Sequence, residues 1–299
     1  MSVFEPAADR ALTLAGHAGP VNSVAYSPDG GLLSTAAEDK TARIWDTGTG
    51  EQVHVLAGHD DAVLAAPFSP ARAAVATVAA DTVPRLWDAG AGVCYAKLNG
   101  HTDMVYAAAF SPDGTRLATT GEDSTIRLWH AGTGDGLGVL AGHDGTVSAL
   151  AFSPDGRQIA TAGFDASVRL WDSGTGAPLA ALDGHKDTVW SVAYSPDGTI
   201  LAAAGEDGTV RLWEAGGGAP VRTLEGHDGP VFAAVFSPDG AVVATGGADA
   251  AARLFQASDG RCTRTLSGHD GAVNAVAFAP GGGQLATASA DRMARLWTL

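Results

Sequence analysis

Residues 16–57 read GHAGPVNSVAYSPDGGLLSTAAEDKTARIWDTGTGEQVHVLA, and this pattern occurs seven times along the chain at a constant spacing. Each copy opens with Gly-His, and successive histidines are 42 residues apart. They are His17, His59, His101, His143, His185, His227 and His269. Aspartate, arginine and aromatic columns keep the same register, starting at Asp39, Arg43 and Trp45. Because nothing is inserted or deleted, we interpret the chain as an array of one repeated structural unit.

Each unit contains four short runs rich in β-forming residues, separated by turn residues. In the first unit these runs are Val21–Ser27, Leu32–Ala36, Thr41–Trp45 and Val53–Leu56. The first two are joined by Ser27-Pro28-Asp29-Gly30, in which proline presets φ and glycine accepts the left-handed conformation. No helical periodicity competes with this pattern. The sequence therefore predicts an all-β chain with four antiparallel strands per repeat.

Seven such sheets are expected to form one closed ring. A sheet of this size cannot cover both of its faces, so neighbouring sheets must pack together, and radial closure protects their edges. We therefore predict that residues 1–299 form a single domain, a seven-bladed β-propeller. The last copy ends before its fourth strand. Residues 10–15 are expected to supply it by pairing with Met293–Trp297, which closes the ring.

Composition and charge argue against several kinds of partner. The chain has 18 Lys and Arg against 33 Asp and Glu, a formal charge of −15, so its field repels nucleic acid and anionic membranes. No uncharged apolar run reaches the ~18 residues that a membrane helix requires. Cys94 and Cys262 have no CxxC or metal-ligand spacing, which is typical of a reducing compartment. A cytoplasmic location is the expectation.

The Gly-His pair, the later aspartate and the Trp-Asp dipeptides, such as Trp45-Asp46, resemble the WD-repeat family. That resemblance covers residues 10–299 and implies a non-enzymatic, protein-binding scaffold that uses no cofactor. It also implies that His17, Thr35, Asp39 and Trp45 form a buried hydrogen-bonded tetrad in the first blade. Each hydrogen bond of this kind makes a net contribution of about 0.5 to 1.5 kcal/mol to the free energy of unfolding. A buried polar group left without its partner costs roughly 1 to 3 kcal/mol.

Three copies depart from the repeat. Ala203 stands where the other copies have threonine, and Phe255 stands where they have tryptophan, so these two blades should be held less rigidly. In the second copy Pro67 and Pro84 interrupt expected strands, and Ala71-Arg72 replaces Asp-Gly. Because proline cannot donate to a strand ladder, these departures predict an irregular second blade or a bulge in it.

Positions that vary between copies are the candidates for function. They lie at the end of the propeller that carries the Gly-His loops, which the resemblance indicates as the usual partner-binding face. The third and fifth residues after each histidine vary, as does the residue before each turn aspartate. The candidate partner-binding residues drawn from these columns are Leu64, Met104, Tyr106, Phe164, Trp190, Phe232, Glu122 and Glu206. Exposed aromatic clusters of this kind mark binding sites, so we predict a docking surface for a peptide or protein segment with apolar anchors and a Lys or Arg.

Other interpretations of these residues remain open. The apolar side chains can instead tuck into the loops and shield the axis. A small-molecule binder or enzyme with its pocket at the channel mouth would use Glu38, Glu122 or Glu206 as acid or base. The histidine and aspartate columns are expected to be structural rather than catalytic or metal-binding, because whole blades separate their members. We expect a monomeric ring.

Overall fold

The computed structural model describes residues 11–299, which form seven four-stranded antiparallel sheets, here called blades 1 to 7. Blade 1 consists of β2 (Val21–Tyr26), β3 (Leu32–Ala37), β4 (Thr41–Asp46) and β5 (Gln52–Ala57). Blade 2 consists of β6 (Val63–Ala65), β7 (Ala74–Ala79), β8 (Arg85–Asp88) and β9 (Val93–Lys97). Blade 3 consists of β10 (Val105–Phe110), β11 (Arg116–Gly121), β12 (Thr125–His130) and β13 (Gly136–Ala141). Blade 4 consists of β14 (Val147–Phe152), β15 (Gln158–Gly163), β16 (Val168–Asp172) and β17 (Pro178–Leu182).

The remaining blades follow the same order, and the last one closes the ring. Blade 5 consists of β18 (Val189–Tyr194), β19 (Ile200–Gly205), β20 (Val210–Glu214) and β21 (Pro220–Leu224). Blade 6 consists of β22 (Val231–Phe236), β23 (Val242–Gly247), β24 (Ala251–Gln256) and β25 (Cys262–Ser267). Blade 7 consists of β26 (Val273–Phe278), β27 (Gln284–Ser289), β28 (Met293–Thr298) and β1 (Ala11–Ala15). The first strand of each blade packs against the first strand of the next, and β26 packs against β2. These seven strands therefore surround the common axis.

The predicted closure by the N-terminal strand is confirmed. Strand β1 pairs antiparallel with β28, with Ala11 opposite Trp297 and Ala15 opposite Met293. The predicted start of this segment, Arg10, lies outside the described residues. The last blade is thus built from both ends of the repeat array, so the ring closes only when the two ends meet.

The hydrophobic core is divided among the interfaces between neighbouring blades. Between blades 1 and 2, for example, Ile44 and Leu56 pack with Val75 and Trp87. Ile44, Leu56 and Val75 are fully buried. Burying such a side chain contributes ~1.5–3 kcal/mol. Because each sheet covers its faces only through its neighbours, the closed ring is the stable unit.

Blade 2 is irregular, as its prolines predict. Strand β6 is shortened to Val63–Ala65 and ends before Pro67. Strand β8 begins at Arg85, directly after Pro84. Beyond the shortened β6, pairing continues only as an isolated bridge from Phe68 to Val75. The two prolines remove donors from the ladder, so this blade keeps its place in the ring with fewer backbone hydrogen bonds.

Candidate functional site

The candidate site lies at the end of the propeller where each first strand begins and each second strand ends. In blade 1 this end is marked by the pairing of Val21 with Ala37 and of Thr41 with Ala57. The Gly-His loop and the turn that contains Asp39 both lie here. We call this end the top face.

The structure joins His17, Thr35, Asp39 and Trp45 by hydrogen bonds beneath the top face. The Trp45 indole N–H donates to Thr35 Oγ1 over 2.8 Å, and Thr35 Oγ1 lies 2.7 Å from His17 Nε2. His17 Nδ1 lies 2.9 Å from Asp39 Oδ2. One proton arrangement satisfies every bond: the indole donates to the hydroxyl, the hydroxyl donates to Nε2, and Nδ1–H donates to the carboxylate. This arrangement requires a neutral imidazole.

The ionisation of the tetrad groups follows from this geometry. Burial lowers the pKa of His17 below its usual 6.5, and Arg43 adds to the decrease, while Asp39 opposes it. Burial raises the pKa of Asp39, but hydrogen bonds from Thr41, Ala18 and His17 outweigh it, and the net pKa lies below the usual value. At neutral pH the ring is therefore neutral and the carboxylate charged.

The same threonine-centred network occurs in four further blades. In each, the threonine hydroxyl contacts both the indole N–H and histidine Nε2. The central threonines are Thr77, Thr119, Thr161 and Thr287. Repetition of one bond pattern in five blades explains why these columns are nearly invariant, with Ala203 and Phe255 as the exceptions.

Blades 5 and 6 lack part of the network. Because Ala203 has no hydroxyl, His185 Nε2 faces the Ala203 carbonyl oxygen instead, at 3.2 Å. His185 Nδ1 faces Asp207 at 3.1 Å, so both ring nitrogens face acceptors. In blade 6 Thr245 contacts His227 Nε2 at 2.7 Å, but Phe255 supplies no indole donor.

The arginine column pairs with the turn aspartates rather than forming an anion site. Ion pairs join the two columns in six blades, from 2.6 Å for Arg253 and Asp249 to 4.0 Å for Arg127 and Asp123. In blade 1 Arg43 also donates to Gln52 Oε1. In these six blades the arginine charge is therefore paired with an aspartate of the same blade.

A β-bulge in the first strand of every blade sets the direction of the most variable side chain. In blade 5 Val189 pairs with Gly205 and Ser191 with Ala204, which leaves Trp190 outside the ladder. The same register shift recurs in all seven blades. The bulged residues are Asn22, Leu64, Tyr106, Ser148, Trp190, Phe232 and Asn274. A bulge changes the direction of a side chain locally. The side chain at this position in each blade therefore does not follow the regular alternation between the two faces of the sheet.

Four candidate residues from four consecutive blades are brought into one continuous row, which we call the aromatic arc: Tyr106, Phe164, Trp190 and Phe232. The Tyr106 and Phe164 rings have centroids 5.9 Å apart, and those of Phe164 and Trp190 are 5.2 Å apart. Trp190 and Phe232 follow at 6.2 Å. The interplanar angles of 66°, 74° and 70° make each contact edge-to-face, the arrangement that aromatic quadrupoles favour.

The other candidate residues lie on the same face but outside this row. Glu206 accepts the Trp190 indole N–H over 2.7 Å. Glu122 is exposed, and its backbone N–H donates to the Met104 carbonyl oxygen over 2.8 Å. Leu64 and Met104 are half-buried. Phe164 is 41% exposed, so the arc is only partly covered by the loops.

Blades 7 and 1, on the opposite side of the top face from the arc, carry polar bulged residues that form hydrogen bonds to the next blade. Asn274 donates to the Val21 carbonyl oxygen over 2.9 Å, and Asn22 donates to that of Val63 over 3.0 Å. Ser148, next to the arc, makes the same kind of bond to Val189. Sequence reasoning identified this column as variable, but it did not predict these bridges, the bulge or the bond between Trp190 and Glu206.

The surroundings of the arc are acidic. Asp103, Asp144, Asp187 and Asp228 lie on the Gly-His loops of blades 3 to 6, with Lys186 as a cation among them. Burial, followed by Glu122 and Asp103, raises the pKa of Tyr106 above its usual 10. A cationic ligand is therefore favoured here over an anionic one.

Acid–base and metal chemistry find little support in the described residues. Glu38, Glu122 and Glu206 lie on blades 1, 3 and 5, and one oxygen of Glu206 is already bonded to Trp190. Residues 11–299 contain no group of three or more His, Cys, Asp or Glu side chains placed to hold a metal ion. Over the same range no helix has the length and apolarity needed to cross a bilayer.

The fold and the repeated network define a WD-repeat propeller, and comparison with known families agrees. The WD domain, G-beta repeat family matches seven segments, and the chain belongs to this family. The segments are residues 9–46, 50–88, 92–130, 134–172, 176–214, 218–256 and 260–298. Propellers of this family are typical protein-interaction scaffolds and are generally not enzymes.

Curated relatives match only over short stretches. A Periodic tryptophan protein 2 homolog from Neurospora crassa is 59% identical over 32 residues, 11% of this chain and 4% of that protein. Nuclear distribution protein PAC1 from Coprinopsis cinerea is 46% identical over 46 residues, 15% of this chain and 11% of that protein. The Schizosaccharomyces pombe Periodic tryptophan protein 2 homolog is 56% identical over 34 residues, 11% and 4% of the two chains. Matches of this length reflect the shared repeat.

Proposed function

We propose that this protein is a non-enzymatic interaction scaffold that binds a peptide or protein segment on its top face, with the aromatic arc as the contact surface. The observation that carries the proposal is the uninterrupted row of edge-to-face rings from Tyr106 to Phe232. The framework of the repeat hardly varies, yet Tyr106, Trp190 and Phe232 stand where three other blades have asparagine or serine and blade 2 has leucine. Phe164 stands where the other blades have glutamate or alanine.

Partial exposure of the arc supports binding rather than simple shielding of the axis. Phe164 is 41% exposed, and Tyr106, Trp190 and Phe232 are only half-buried. Aromatic side chains are enriched among the residues that dominate binding energy. A partner that covers this row would remove its remaining apolar surface from water.

The rigid setting of the arc also supports the proposal. Each arc residue contacts a ring in the neighbouring blade, and Trp190 is further fixed by its bond to Glu206. Side chains held in place before binding lose less conformational entropy when a partner docks. The arc is thus preorganised by the blades that carry it.

The test is to select binders from a random peptide library on the immobilised full chain and to measure their affinity by calorimetry. The double substitution Trp190→Ala and Phe232→Ala should weaken binding by at least about 30-fold, the value for the loss of a residue that dominates binding. The matched control is Leu137→Ala with Val139→Ala, which removes two exposed apolar side chains from β13, the outer strand of blade 3, whereas the arc residue Tyr106 lies on the axial strand β10. The control should leave affinity unchanged.

Two results would contradict the proposal. One is a selected peptide whose affinity survives loss of Trp190 and Phe232. The other is an equal loss of affinity in the β13 control, which would indicate nonspecific hydrophobic binding. Melting temperatures of both variants should be compared with the parent, so that unfolding is not mistaken for loss of the site.

A further inference from the structure

We propose that the aromatic arc recognises an arginine side chain of the docked segment, with Glu206 as its anionic partner; this inference rests on the proposed function and specifies its ligand. The central feature is the bond from the Trp190 indole N–H to Glu206 Oε2, at 2.7 Å. This bond fixes the carboxylate beside the arc. Within residues 11–299 the other carboxylate oxygen has no hydrogen-bond or ion-pair partner.

The rings next to this carboxylate face in different directions. Phe164 meets Trp190 from blade 4 at 74°, and Phe232 meets it from blade 6 at 70°. The face of an aromatic ring carries negative electrostatic potential. The edge-to-face contacts cover only part of these faces, since Phe164 is 41% exposed and Trp190 and Phe232 are half-buried, so ring surface remains available to a ligand. A free carboxylate oxygen beside them completes the features that bind an organic cation.

The charge of the surrounding loops favours the same ligand. The Gly-His loops of blades 3 to 6 contribute Asp103, Asp144, Asp187 and Asp228, and Lys186 is the cation on these four loops. The chain as a whole carries a formal charge of −15. A cationic segment would therefore be drawn to this face, whereas an acidic one would be repelled.

Arginine fits these features better than lysine does. The guanidinium group is planar and weakly hydrated, so it stacks on a ring face while its N–H groups donate in the plane to a carboxylate. An ammonium group is compact and strongly hydrated, and it loses more hydration when it meets an aromatic surface. The free oxygen of Glu206 can accept from the edge of a guanidinium group while the flat face of that group contacts the rings.

The probe is the tripeptide acetyl-Leu-Arg-Leu-amide, titrated into the full chain while the indole N–H resonance of Trp190 is followed by NMR. Comparison with Trp190→Phe assigns this resonance among the seven tryptophans. We expect a saturable shift with the arginine probe. The lysine and citrulline versions should both bind on the order of tenfold more weakly. Lysine keeps the charge but loses more hydration against the rings, whereas citrulline keeps the planar shape but loses the charge-assisted bond.

The matched variants are Glu206→Gln and Glu38→Gln. Glutamine at position 206 still accepts the Trp190 indole through its amide oxygen, but it carries no charge, so affinity for the arginine probe should fall about tenfold. Glu38 occupies the same repeat position in blade 1 and is exposed, and its removal changes the net charge equally. Glu38→Gln should leave the affinity unchanged.

Three outcomes overturn the inference: equal affinity for the arginine and lysine probes, no effect of Glu206→Gln, or an equal effect of Glu38→Gln. Each can occur while library peptides still depend on Trp190 and Phe232, and the proposed function would then stand without arginine recognition. Conversely, an arginine-specific shift at Trp190 together with no selectable peptide would support the cation site and contradict the docking proposal.

Discussion

Blades 1 and 5 are built from the same 42-residue unit, yet they use it differently. Blade 1 has the complete network centred on Thr35, and its bulged residue Asn22 bonds to the next blade. Blade 5 lacks the central hydroxyl at Ala203, and its bulged residue Trp190 joins the aromatic arc. Blade 3 combines the complete network, centred on Thr119, with the arc residue Tyr106. The buried network and the top-face column can therefore vary independently.

Removing the central hydroxyl of blade 1 should make that blade resemble blade 5. Thr35→Ala leaves the Trp45 indole and His17 Nε2 without their shared partner, at a cost of roughly 1 to 3 kcal/mol in the free energy of unfolding. Chemical denaturation followed by tryptophan fluorescence would measure this loss. A variant as stable as the parent would show that the hydrogen-bonded network contributes nothing to the fold.

The polar bridge of blade 1 should have a smaller effect. Asn22→Ala removes the bond from Asn22 to the Val63 carbonyl oxygen, and a net loss of about 1 kcal/mol is expected. The affinity of selected peptides should not change, since Asn22 lies outside the arc. A loss of affinity with unchanged stability would place binding on the polar side of the top face instead.

The reverse change should partly repair blade 5. Ala203→Thr supplies a hydroxyl between the Trp213 indole and His185, and we expect a gain of about 0.5 to 1.5 kcal/mol. The buried Ala203 site must accept two additional heavy atoms, as the equivalent position does in the other six blades. Denaturant titration of the parent and the variant would measure the gain, and a destabilised variant would mean that blade 5 has repacked around alanine.

The smallest effect is expected in the pKa values of the tetrad histidines of blades 1 and 5, His17 and His185. Burial lowers the pKa of both His17 and His185 below 6.5, but the Ala203 carbonyl oxygen opposes the decrease only at His185. A histidine whose pKa is lowered by folding binds more protons when unfolded, so stability should decline as pH falls below about 6.5. NMR titration should show His185 protonating at a higher pH than His17, and Ala203→Thr should reduce the difference. Identical titration in parent and variant would contradict this assignment.

Most of the fold could be predicted from the sequence because the repeat is exact in length. The constant spacing of the Gly-His pairs predicts the blade number, and the missing last strand predicts the pairing of β1 with β28. Pro67 and Pro84 predict the irregular second blade. Strand ends differ from the prediction by a residue or so, since end residues pair according to turn geometry.

The site was less predictable, for physical reasons. The variable column revealed Tyr106, Trp190 and Phe232 as candidates, but whether they meet depends on the bulge and on the neighbouring blades. The bond between Trp190 and Glu206 joins positions sixteen residues apart, and in blade 1 the same two positions hold Asn22 and Glu38. Only the fold shows which pairs of variable residues are in contact.

The most direct test of the account exchanges the bulged residue of blade 5 for that of blade 1. Trp190→Asn removes the centre of the aromatic arc and can restore the bridge that Asn22 makes to the following blade. The affinity of arc-binding peptides and the melting temperature should be measured on the same preparation. We predict loss of binding with a melting temperature close to that of the parent. Retained binding would contradict the account, because the aromatic arc would then not be the docking surface.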